Sequence, residues 1–255
     1  MSRWVLADRI GPIAVLTLNR LERHNSLVPA FLGEMLATLE AIGANSDVRA
    51  LVVQANGRSF STGGDVRGFY DHMDDLEAYA RTIVGLLNRV ILALFELPVP
   101  AVAAVHGIVT GGSLGLVLAC DVVLVAPQAS FTPYYSVVGF SPDGGWTALL
   151  PSFVGSKRVA EVLMRNQAIT AEQAVAWGLA SRIVPADRIQ EEALRVAEEI
   201  AAKKPGSLRH TKRLLSATFG DLTTRLEAER TRFVEQIMTE EAKQGIIAFL
   251  EGGSG

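Results

Sequence analysis

The sequence predicts an α/β fold with a helical region at its C-terminal end. Three observations lead to this class. Short runs of valine, leucine, isoleucine and alanine alternate with longer amphipathic segments, glycine-rich turns follow two of these runs, and the last third of the chain shows helical periodicity. The 255 residues, 49% of them hydrophobic, suffice for one large domain with a sizeable core. We expect an α/β core over residues 1–195 and a C-terminal helical region over residues 196–255, which would cover a site or make subunit contacts.

The first elements form a strand, helix, strand unit. Residues 13–18 are a predicted strand, and residues 5–6 pair with it as a hairpin across the turn at Gly11. A helix begins at Pro29, because apolar side chains then recur at helical spacing, and a buried strand follows at residues 50–54. The apolar positions of this helix are Phe31, Met35, Leu36, Leu39 and Ile42.

A first glycine-rich turn follows that strand. It covers residues 59–65 and leads into a helical turn that begins at Val66. A long helix is predicted over residues 76–95, since its apolar residues fall on one face, and the prolines from Pro98 onward end it.

A second glycine-rich turn follows a buried strand at residues 102–105. The strand ends at His106, and Gly111 and Gly112 open a helix over residues 114–120. The whole stretch 97–120 lacks charged residues, but two prolines and four glycines divide it into short elements, so it does not read as a membrane span.

The rest of the chain adds short strands, an irregular aromatic segment and a run of helices. The irregular segment covers residues 133–151 and becomes helical from Thr147 onward. Thr170 and Gln173 form a predicted capping box at the start of a short helix. Further strands are predicted at 121–125, 129–132 and 183–184, helices at 189–203, 207–217, 222–237 and 240–250, and a tail at 251–255.

The charge and cysteine content restrict partners and compartment. The net charge of −3 gives no reason to expect nucleic acid or a membrane surface as a partner. Cys120 is the only cysteine, so no disulfide can form within the chain, and its apolar surroundings indicate a small buried hydrophobe. The first residues also lack the apolar core of a secretion signal. We therefore expect a cytoplasmic protein.

The glycine turns suggest a site for negative charge. Unpaired N–H groups at the start of a helix attract anions, and paired glycines let a ligand approach the backbone. Gly111 and Gly112 are followed by neither the lysine of a phosphate-binding loop nor a third glycine at dinucleotide spacing, which favours a transient oxyanion over a phosphate. The alternative is a close-packed corner between strand and helix.

A carboxylate accompanies the two turns. Asp143 lies in a Pro-Asp-Gly-Gly sequence between apolar segments, where it could remove a proton alpha to a carbonyl held by two N–H groups. The alternative is an ordinary turn, because Pro-Asp-Gly is a common turn sequence.

Other catalytic centres find little support. No Gly-x-Ser-x-Gly follows an apolar strand. No metal site is expected, because the four histidines are widely separated and lack ligand spacing. They are His24, His72, His106 and His210.

Four stretches, in this order, make the chain resemble the enoyl-CoA hydratase/isomerase (crotonase) family along nearly its whole length. The resemblance implies a spiral of ββα units with a C-terminal helical region, homotrimers or homohexamers, an acyl-CoA thioester as substrate and no further cofactor. The stretches are residues 18–20 with 25–27, 58–66, 104–107 through 111–112 to 120–121, and 139–145.

The resemblance also implies residue roles. The N–H groups of Gly64 and Gly112 would form the oxyanion hole, and Gly64, Asp65, Val66 and Arg67 would line the substrate. Hydratases of the family carry two glutamates that activate and deliver water, and the matching positions here are Gly115 and Tyr135. Loss of each proton-transfer group costs on the order of 100-fold, which disfavours hydration.

Asp143 matches the single catalytic carboxylate of Δ3,Δ2-enoyl-CoA isomerases and of the related 1,2-epoxyphenylacetyl-CoA isomerases. The resemblance therefore implies that Asp143 moves a proton during a double-bond shift. The same position holds the attacking aspartate of 4-chlorobenzoyl-CoA dehalogenases, so a nucleophilic role is an alternative. A hydratase and an idle acyl-CoA-binding subunit also remain alternatives.

Neighbouring residues complete the predicted site. Tyr135, Phe140 and Trp146 would form apolar walls around Asp143, and coenzyme A would contact the loop of Arg23, His24 and Ser26. His106 is expected to be a hydrogen-bonded turn residue.

Overall fold

The computed structural model describes residues 4 to 252, and strands form two sheets within that range. The strands are β1 (Val5–Ile10), β2 (Ile13–Leu18), β3 (Ala50–Ala55), β4 (Ala101–Val105), β5 (Ile108–Thr110), β6 (Val122–Val125), β7 (Ser130–Thr132), β8 (Ile169–Thr170) and β9 (Arg182–Ile183). The larger sheet has the order β1-β2-β3-β4-β6-β9, antiparallel between β1 and β2 and parallel elsewhere. The smaller sheet has the order β5-β7-β8.

Helices cover both faces of the larger sheet. They are α1 (Pro29–Ala44), α2 (Val66–Asp71), α3 (Leu76–Phe95), α4 (Leu114–Leu118), α5 (Tyr135–Val138), α6 (Leu150–Val154), α7 (Ser156–Arg165), α8 (Ala171–Trp177), α9 (Ile189–Ala201), α10 (Pro205–Ala217), α11 (Leu222–Ile237) and α12 (Glu240–Gly252). The α/β class is thus confirmed.

The core is divided by the sheet, because successive strand residues point to opposite faces. Leu16 and Val53 face the larger core, which contains buried residues of α1 and α3. Val15 and Val52 face the opposite side, where they meet buried residues of α9. Both faces are covered, as is usual for parallel strands with continuous hydrophobic runs.

Most predicted elements agree with the structure. The hairpin, the helix that begins at Pro29, the helix over 76–95 and the helix over 222–237 are confirmed. The capping box is also present, since the Thr170 side chain accepts from the Gln173 N–H while the Gln173 side chain accepts from the Thr170 N–H.

The path from β4 to the second glycine turn differs from the prediction. The chain reverses at Gly107 and forms β5 before Gly111, instead of passing directly from strand to helix. Gly107 has φ 73°, and a Cβ there would lie 2.5 Å from the Arg58 carbonyl oxygen. This reversal moves the glycine turn onto the smaller sheet.

One short helix, α5, was not predicted in the irregular segment. The helix predicted from Thr147 onward is present as α6, but it begins at Leu150. α5 spans four residues, too few for helical periodicity to be recognised in a sequence.

The C-terminal helices pack over the core. The predicted boundary at residue 195 falls inside α9, which packs against the sheet as one unit. Asn88 of α3 donates to the Leu226 carbonyl oxygen of α11 at 3.0 Å, and this contact ties the helical region to the core. Of the predicted tail, residues 251–252 continue α12, and residues 253–255 lie outside the described range.

One helical segment, Met73–Phe95, is long and apolar enough to cross a bilayer. It contains α3, whose buried residues belong to the larger core, so its apolar character has a packing explanation. The uncharged stretch 97–120 forms β4, β5 and α4, as the prolines and glycines indicated.

Candidate active site

The two glycine turns lie side by side. Ser61 and Val109 form a parallel bridge, and the Thr110 N–H donates to the Ser61 carbonyl oxygen at 3.1 Å. A Cβ on Gly63 would lie 2.6 Å from the Thr110 carbonyl oxygen, so the first turn approaches the second more closely than any side chain allows. The structure therefore brings both turns to one place.

Gly64 and Gly112 line a common cavity, and both have N–H groups available to a bound oxygen. Leu27 pairs with the loop on both sides of Gly64, but the Gly64 N–H itself donates to no other described residue. Gly112 is the second residue of a short 3-10 turn, Gly111–Ser113, where N–H groups lack an intrahelical acceptor. Two such donors in an apolar cavity can stabilise an oxyanion.

Asp143 lies directly beside Gly112. Its Oδ1 and Oδ2 lie 2.9 Å and 3.3 Å from the position that a Cβ on Gly112 would occupy. Gly144 makes this approach possible, because a side chain there would overlap the backbone of Gly112. Asp143 is 6% exposed and lines the cavity. It lies in a turn, as its sequence indicates, and it also places a buried carboxyl group beside the two glycine turns.

The surroundings of Asp143 change its acidity. Burial raises the pKa of Asp143 to about 7, a hydrogen bond from Tyr135 acts in the opposite direction, and the negative charge of Glu229 raises it further. The Tyr135 hydroxyl donates to Asp143 Oδ1 at 2.6 Å. A carboxyl group with a pKa near neutrality can both accept and return a proton at physiological pH.

Glu229 of α11 is a site residue that the sequence analysis missed. Its Oε1 accepts from the N–H groups of Thr147 and Ala148 and from the Thr147 hydroxyl, and its Oε2 accepts from the Gly145 N–H, all at 2.7–2.8 Å. Burial raises the pKa of Glu229, while these hydrogen bonds oppose the increase. Glu229 thus fastens the segment that follows Asp143.

A sequence signal for Glu229 does exist. It lies at helical spacing between Leu226 and Phe233 on the buried face of α11, where a hydrophobic residue is expected. An acidic residue on an apolar stripe needs hydrogen-bond partners, and this requirement marks it as a candidate for a special role.

The cavity encloses about 250 Å³ and is mainly apolar. Phe69, Phe140 and Phe233 contact one another at one wall, with ring centroids 5.3–5.9 Å apart. Phe249 of α12 and Tyr134 form an edge-to-face pair at another wall, and both are about 40% exposed. The acidic and phenolic groups that line the cavity are Asp143, Tyr134 and Tyr135, and no lysine or arginine of residues 4–252 joins them.

The structure places the predicted wall residues unequally. Tyr135 and Phe140 line the cavity, but Trp146 does not. Trp146 is fully buried, and its indole N–H donates to the Gly111 carbonyl oxygen at 2.8 Å. Trp146, which the sequence predicts as an apolar wall around Asp143, thus packs in the core against Tyr135 and outside the cavity lining, because the backbone partner of its N–H holds the ring there.

The predicted substrate segment also divides. Gly64 and Val66 line the cavity, whereas the side chains of Asp65 and Arg67 lie outside its wall. Asp65 forms an ion pair with Arg20 at 3.0 Å beneath the loop, and Arg67 stacks over the Tyr70 ring. The prediction that residues 64–67 line the substrate therefore applies to the acyl cavity only for Gly64 and Val66. Arg67 is exposed and is a candidate contact for coenzyme A instead.

The predicted coenzyme A loop adjoins the first glycine turn. The His24 carbonyl oxygen accepts from the Thr62 N–H, and Arg23 and His24 are exposed. Ser26 is 7% exposed, and its hydroxyl forms hydrogen bonds with Arg20 and Asp65. Ser26 therefore stabilises the loop from the protein interior. Coenzyme A contacts from Arg23, His24 and Ser26 stay a prediction.

The two positions that carry glutamates in hydratases have specific surroundings here. A Cβ on Gly115 would overlap Ile91 and would lie 2.7 Å from the Gly144 carbonyl oxygen. A longer side chain at residue 115 therefore has no room without displacement of the Asp143 turn. At the other position the side chain is Tyr135, whose hydroxyl donates a hydrogen bond to Asp143.

Two further residues take structural positions. His106 Nε2 lies 2.8 Å from the Gly57 carbonyl oxygen, as expected for a hydrogen-bonded turn residue. Cys120 is buried, and burial raises the pKa of its thiol to about 12, so it is an inert hydrophobe at neutral pH.

Solved structures share this architecture. The chain superposes on an enoyl-CoA hydratase from Bacillus halodurans with a TM-score of 0.90 at 24% identity, covering 96% of this chain and 99% of that one. It superposes on Pseudomonas aeruginosa OdaA with a TM-score of 0.88 at 28% identity, covering 98% and 99%. The fold is thus the crotonase fold.

The sequence comparison identifies the family. A sequence model of enoyl-CoA hydratase/isomerase matches residues 9–254, and the chain belongs to this enzyme family. It is 31% identical to a 2,3-dehydroadipyl-CoA hydratase from Escherichia coli over 97% of this chain and 95% of the relative, and 28% identical to a 1,2-epoxyphenylacetyl-CoA isomerase from the same organism over 98% and 96%. Hydratase names are more frequent than isomerase names among its relatives.

Proposed function

We propose that this protein is an acyl-CoA isomerase that moves a double bond from the 3-position to the 2-position of an enoyl-CoA thioester. The observation that carries the proposal is one buried carboxyl group, Asp143, beside two backbone N–H groups at the wall of an apolar cavity. A thioester carbonyl held by Gly64 and Gly112 would place its alpha carbon near Asp143. The neighbouring cavity would hold the acyl chain.

The reaction needs one group that accepts and then returns a proton. Asp143 takes a proton from C2, and the electron pair of that C–H bond delocalises into a dienolate whose negative charge is shared by the thioester oxygen, C2 and C4. The protonated Asp143 then gives the proton to C4, which leaves the double bond between C2 and C3. The backbone donors supply most of the stabilisation, because a thioester alpha carbon is a much weaker acid than any carboxyl group.

The raised pKa of Asp143 assists the first step. A carboxylate whose conjugate acid has a pKa of about 7 is a stronger base than an exposed aspartate, so proton removal from C2 is less unfavourable. The same value still leaves the group ionised at slightly alkaline pH.

Two competing reactions fit the site less well. Hydration in the family uses two glutamates, and Gly115 leaves no room for one of them while Tyr135 replaces the other. A dehalogenase that attacks through Asp143 needs a separate base to hydrolyse the ester, and no histidine of the described residues lines the cavity.

The test is the conversion of a 3-enoyl-CoA to the conjugated 2-enoyl-CoA, followed by the absorbance of the conjugated thioester. The native protein should convert the substrate, and Asp143→Ala should not. A 2-enoyl-CoA offered in the same buffer should gain water slowly or not at all. Failure of the native protein to convert any 3-enoyl-CoA would overturn the proposal. Haloaryl-CoA and ring-epoxide-CoA esters would then be tried as substrates. Tight acyl-CoA binding without exchange of the C2 proton in deuterated water would assign an idle binding subunit.

The cavity also predicts the charge of the acyl group. No cation among the described residues lines it, so a carboxylate at the far end of the acyl chain would be buried without a partner. We expect kcat/KM for the CoA monothioester of 3-hexenedioic acid to be at least about 100-fold below that for 3-hexenoyl-CoA. This ratio corresponds to about 3 kcal/mol, a modest cost for an unpaired buried charge.

The methyl ester of the same dicarboxylic substrate is the matched control. It restores neutrality at nearly the same length, so its rate should return towards that of 3-hexenoyl-CoA. Equal rates for the free acid and its methyl ester would show that charge is not what the cavity selects.

The trimeric or hexameric state and the cytoplasmic location that we expect from the sequence stay predictions.

A further inference from the structure

We propose that Tyr135 is a positioning residue for Asp143, holding Oδ1 by a hydrogen bond and so assigning Oδ2 as the oxygen that carries the substrate proton. This inference rests on the proposed isomerase reaction, because it names the oxygen that performs each proton transfer. It gives Tyr135 a role different from that of a simple cavity wall.

The geometry of the pair distinguishes the two carboxyl oxygens. The Tyr135 hydroxyl lies 2.6 Å from Asp143 Oδ1 and 3.0 Å from the Asp143 carbonyl oxygen. Both acceptors therefore hold the hydroxyl on the Oδ1 side of the Asp143 carboxyl group. Both carboxyl oxygens lie close to Gly112, but Oδ1 already accepts from Tyr135, whereas Oδ2 accepts no hydrogen bond from residues 4–252. Oδ2 is therefore the oxygen available to substrate.

Tyr135 is itself buried in the core. Its ring is 6% exposed and packs edge-to-face against Trp146, at 6.4 Å between centroids. Burial, followed by the charge of Asp143, raises the pKa of Tyr135 well above its ordinary value. The hydroxyl thus keeps its proton and acts as a permanent donor in the neutral range.

A donor at Oδ1 suits both halves of the reaction. When Oδ2 receives the proton from C2, Oδ1 becomes the carbonyl oxygen of the acid and can still accept from Tyr135. No hydrogen bond then has to break between removal of the C2 proton and its delivery to C4. The carboxyl group only needs to exchange a proton with the substrate at one fixed oxygen.

The hydroxyl should also affect the titration of Asp143. The groups that face this carboxyl are Tyr135 on α5 and Glu229 on α11, while α3 presents the apolar Leu87 at Gly112. A hydrogen bond donated to the charged form favours that form, so removal of the hydroxyl should raise the pKa of Asp143. A purely packing role for the ring would leave the titration unchanged.

The experiment is the titration of Asp143 by carbon-13 NMR, with aspartate labelled at the carboxyl carbon, in the native protein and in Tyr135→Phe. We expect the midpoint to rise by about one pH unit, a tenfold change in the ratio of acid to carboxylate. In the isomerase assay, kcat/KM of Tyr135→Phe should fall more at pH 6 than at pH 9. The control is Tyr134→Phe, which removes a hydroxyl that makes no hydrogen bond to Asp143 and should leave the midpoint in place.

A second substitution keeps the test decisive if Tyr135→Phe does not fold. Site-specific 3-fluorotyrosine at residue 135 retains the hydroxyl but makes it a stronger donor, so the Asp143 midpoint should fall. An unchanged midpoint in both variants, or a shift of both in the same direction, overturns the inference. The titration needs no substrate, so a protein that titrates as expected but isomerises no 3-enoyl-CoA would refute the proposed reaction and retain the Tyr135–Asp143 contact.

Discussion

Asp143→Asn is expected to lose at least about 1,000-fold in isomerase kcat, while its advantage in stability over the native protein grows from about pH 4 and is complete above about pH 7. The loss follows because an amide cannot accept the C2 proton, and general-base catalysis contributes about 100- to 10,000-fold. Asparagine has nearly the same shape, and its side-chain oxygen can still accept from Tyr135, so acyl-CoA binding should persist. Steady-state rates and a binding isotherm with a saturated acyl-CoA measure both effects.

The gain in stability has a defined pH dependence. The pKa of Asp143 lies at about 7 in the fold and has an ordinary value of 3.8. A neutral Asp143 favours the fold fully below pH 3.8, and this contribution is lost as the pH rises to about 7. The interval corresponds to at most about 4 kcal/mol, which the asparagine variant does not lose.

Urea unfolding at several pH values measures this difference. The two proteins should have the same free energy of unfolding near pH 4, and the variant should be more stable by about 2–4 kcal/mol at pH 8. Asp187→Asn is the matched control, because residue 187 is exposed on a turn and the substitution removes the same charge. Equal stabilisation by both substitutions, or none at residue 143, would contradict a buried and destabilised carboxylate.

Much of this site could be predicted from the sequence because its parts are local. Each glycine turn directly follows a strand, and backbone donors need only the turn to be formed. Asp143 is followed by Gly144, whose lack of a side chain lets the turn rest against Gly112. Short patterns of this kind determine local geometry, and the order of four such patterns identifies the family.

Other parts depend on contacts between distant segments. Trp146 and Phe140 are both aromatic residues in an irregular segment, and only the backbone partner of the Trp146 N–H decides that its ring points into the core. β5 is three residues long, too short for its alternation to stand out between two glycines. Glu229 meets Asp143's turn only because α11 packs across the core.

Glu229→Ala is expected to destabilise the fold by about 3 kcal/mol or more and to reduce isomerase activity. The substitution leaves four donors of residues 145–148 without their carboxylate and opens a cavity in the core, and each unsatisfied buried donor costs about 1–3 kcal/mol. Removal of the buried charge offsets part of this cost. Activity falls because these residues hold the Asp143 turn against Gly112.

Glu227→Ala provides the control for this measurement. Glu227 lies one half-turn away on the same helix, its side chain is 55% exposed, and it pairs with Arg230 at the surface. Exposed ion pairs contribute little, so urea unfolding of this variant should match the native protein closely. Similar destabilisation by both alanine variants would mean that α11 tolerates neither change and that Glu229 has no special function.

Glu229→Gln separates the charge of this residue from its hydrogen bonds. The amide oxygen can still accept from Thr147 and Ala148, while the negative charge that raises the pKa of Asp143 is gone. The acid limb of kcat/KM should therefore move below pH 7, opposite to the shift expected for Tyr135→Phe. The Tyr135 donor and the negative charge of Glu229 would then together set the pH at which Asp143 becomes a base, and shifts in one direction for both variants would refute this balance.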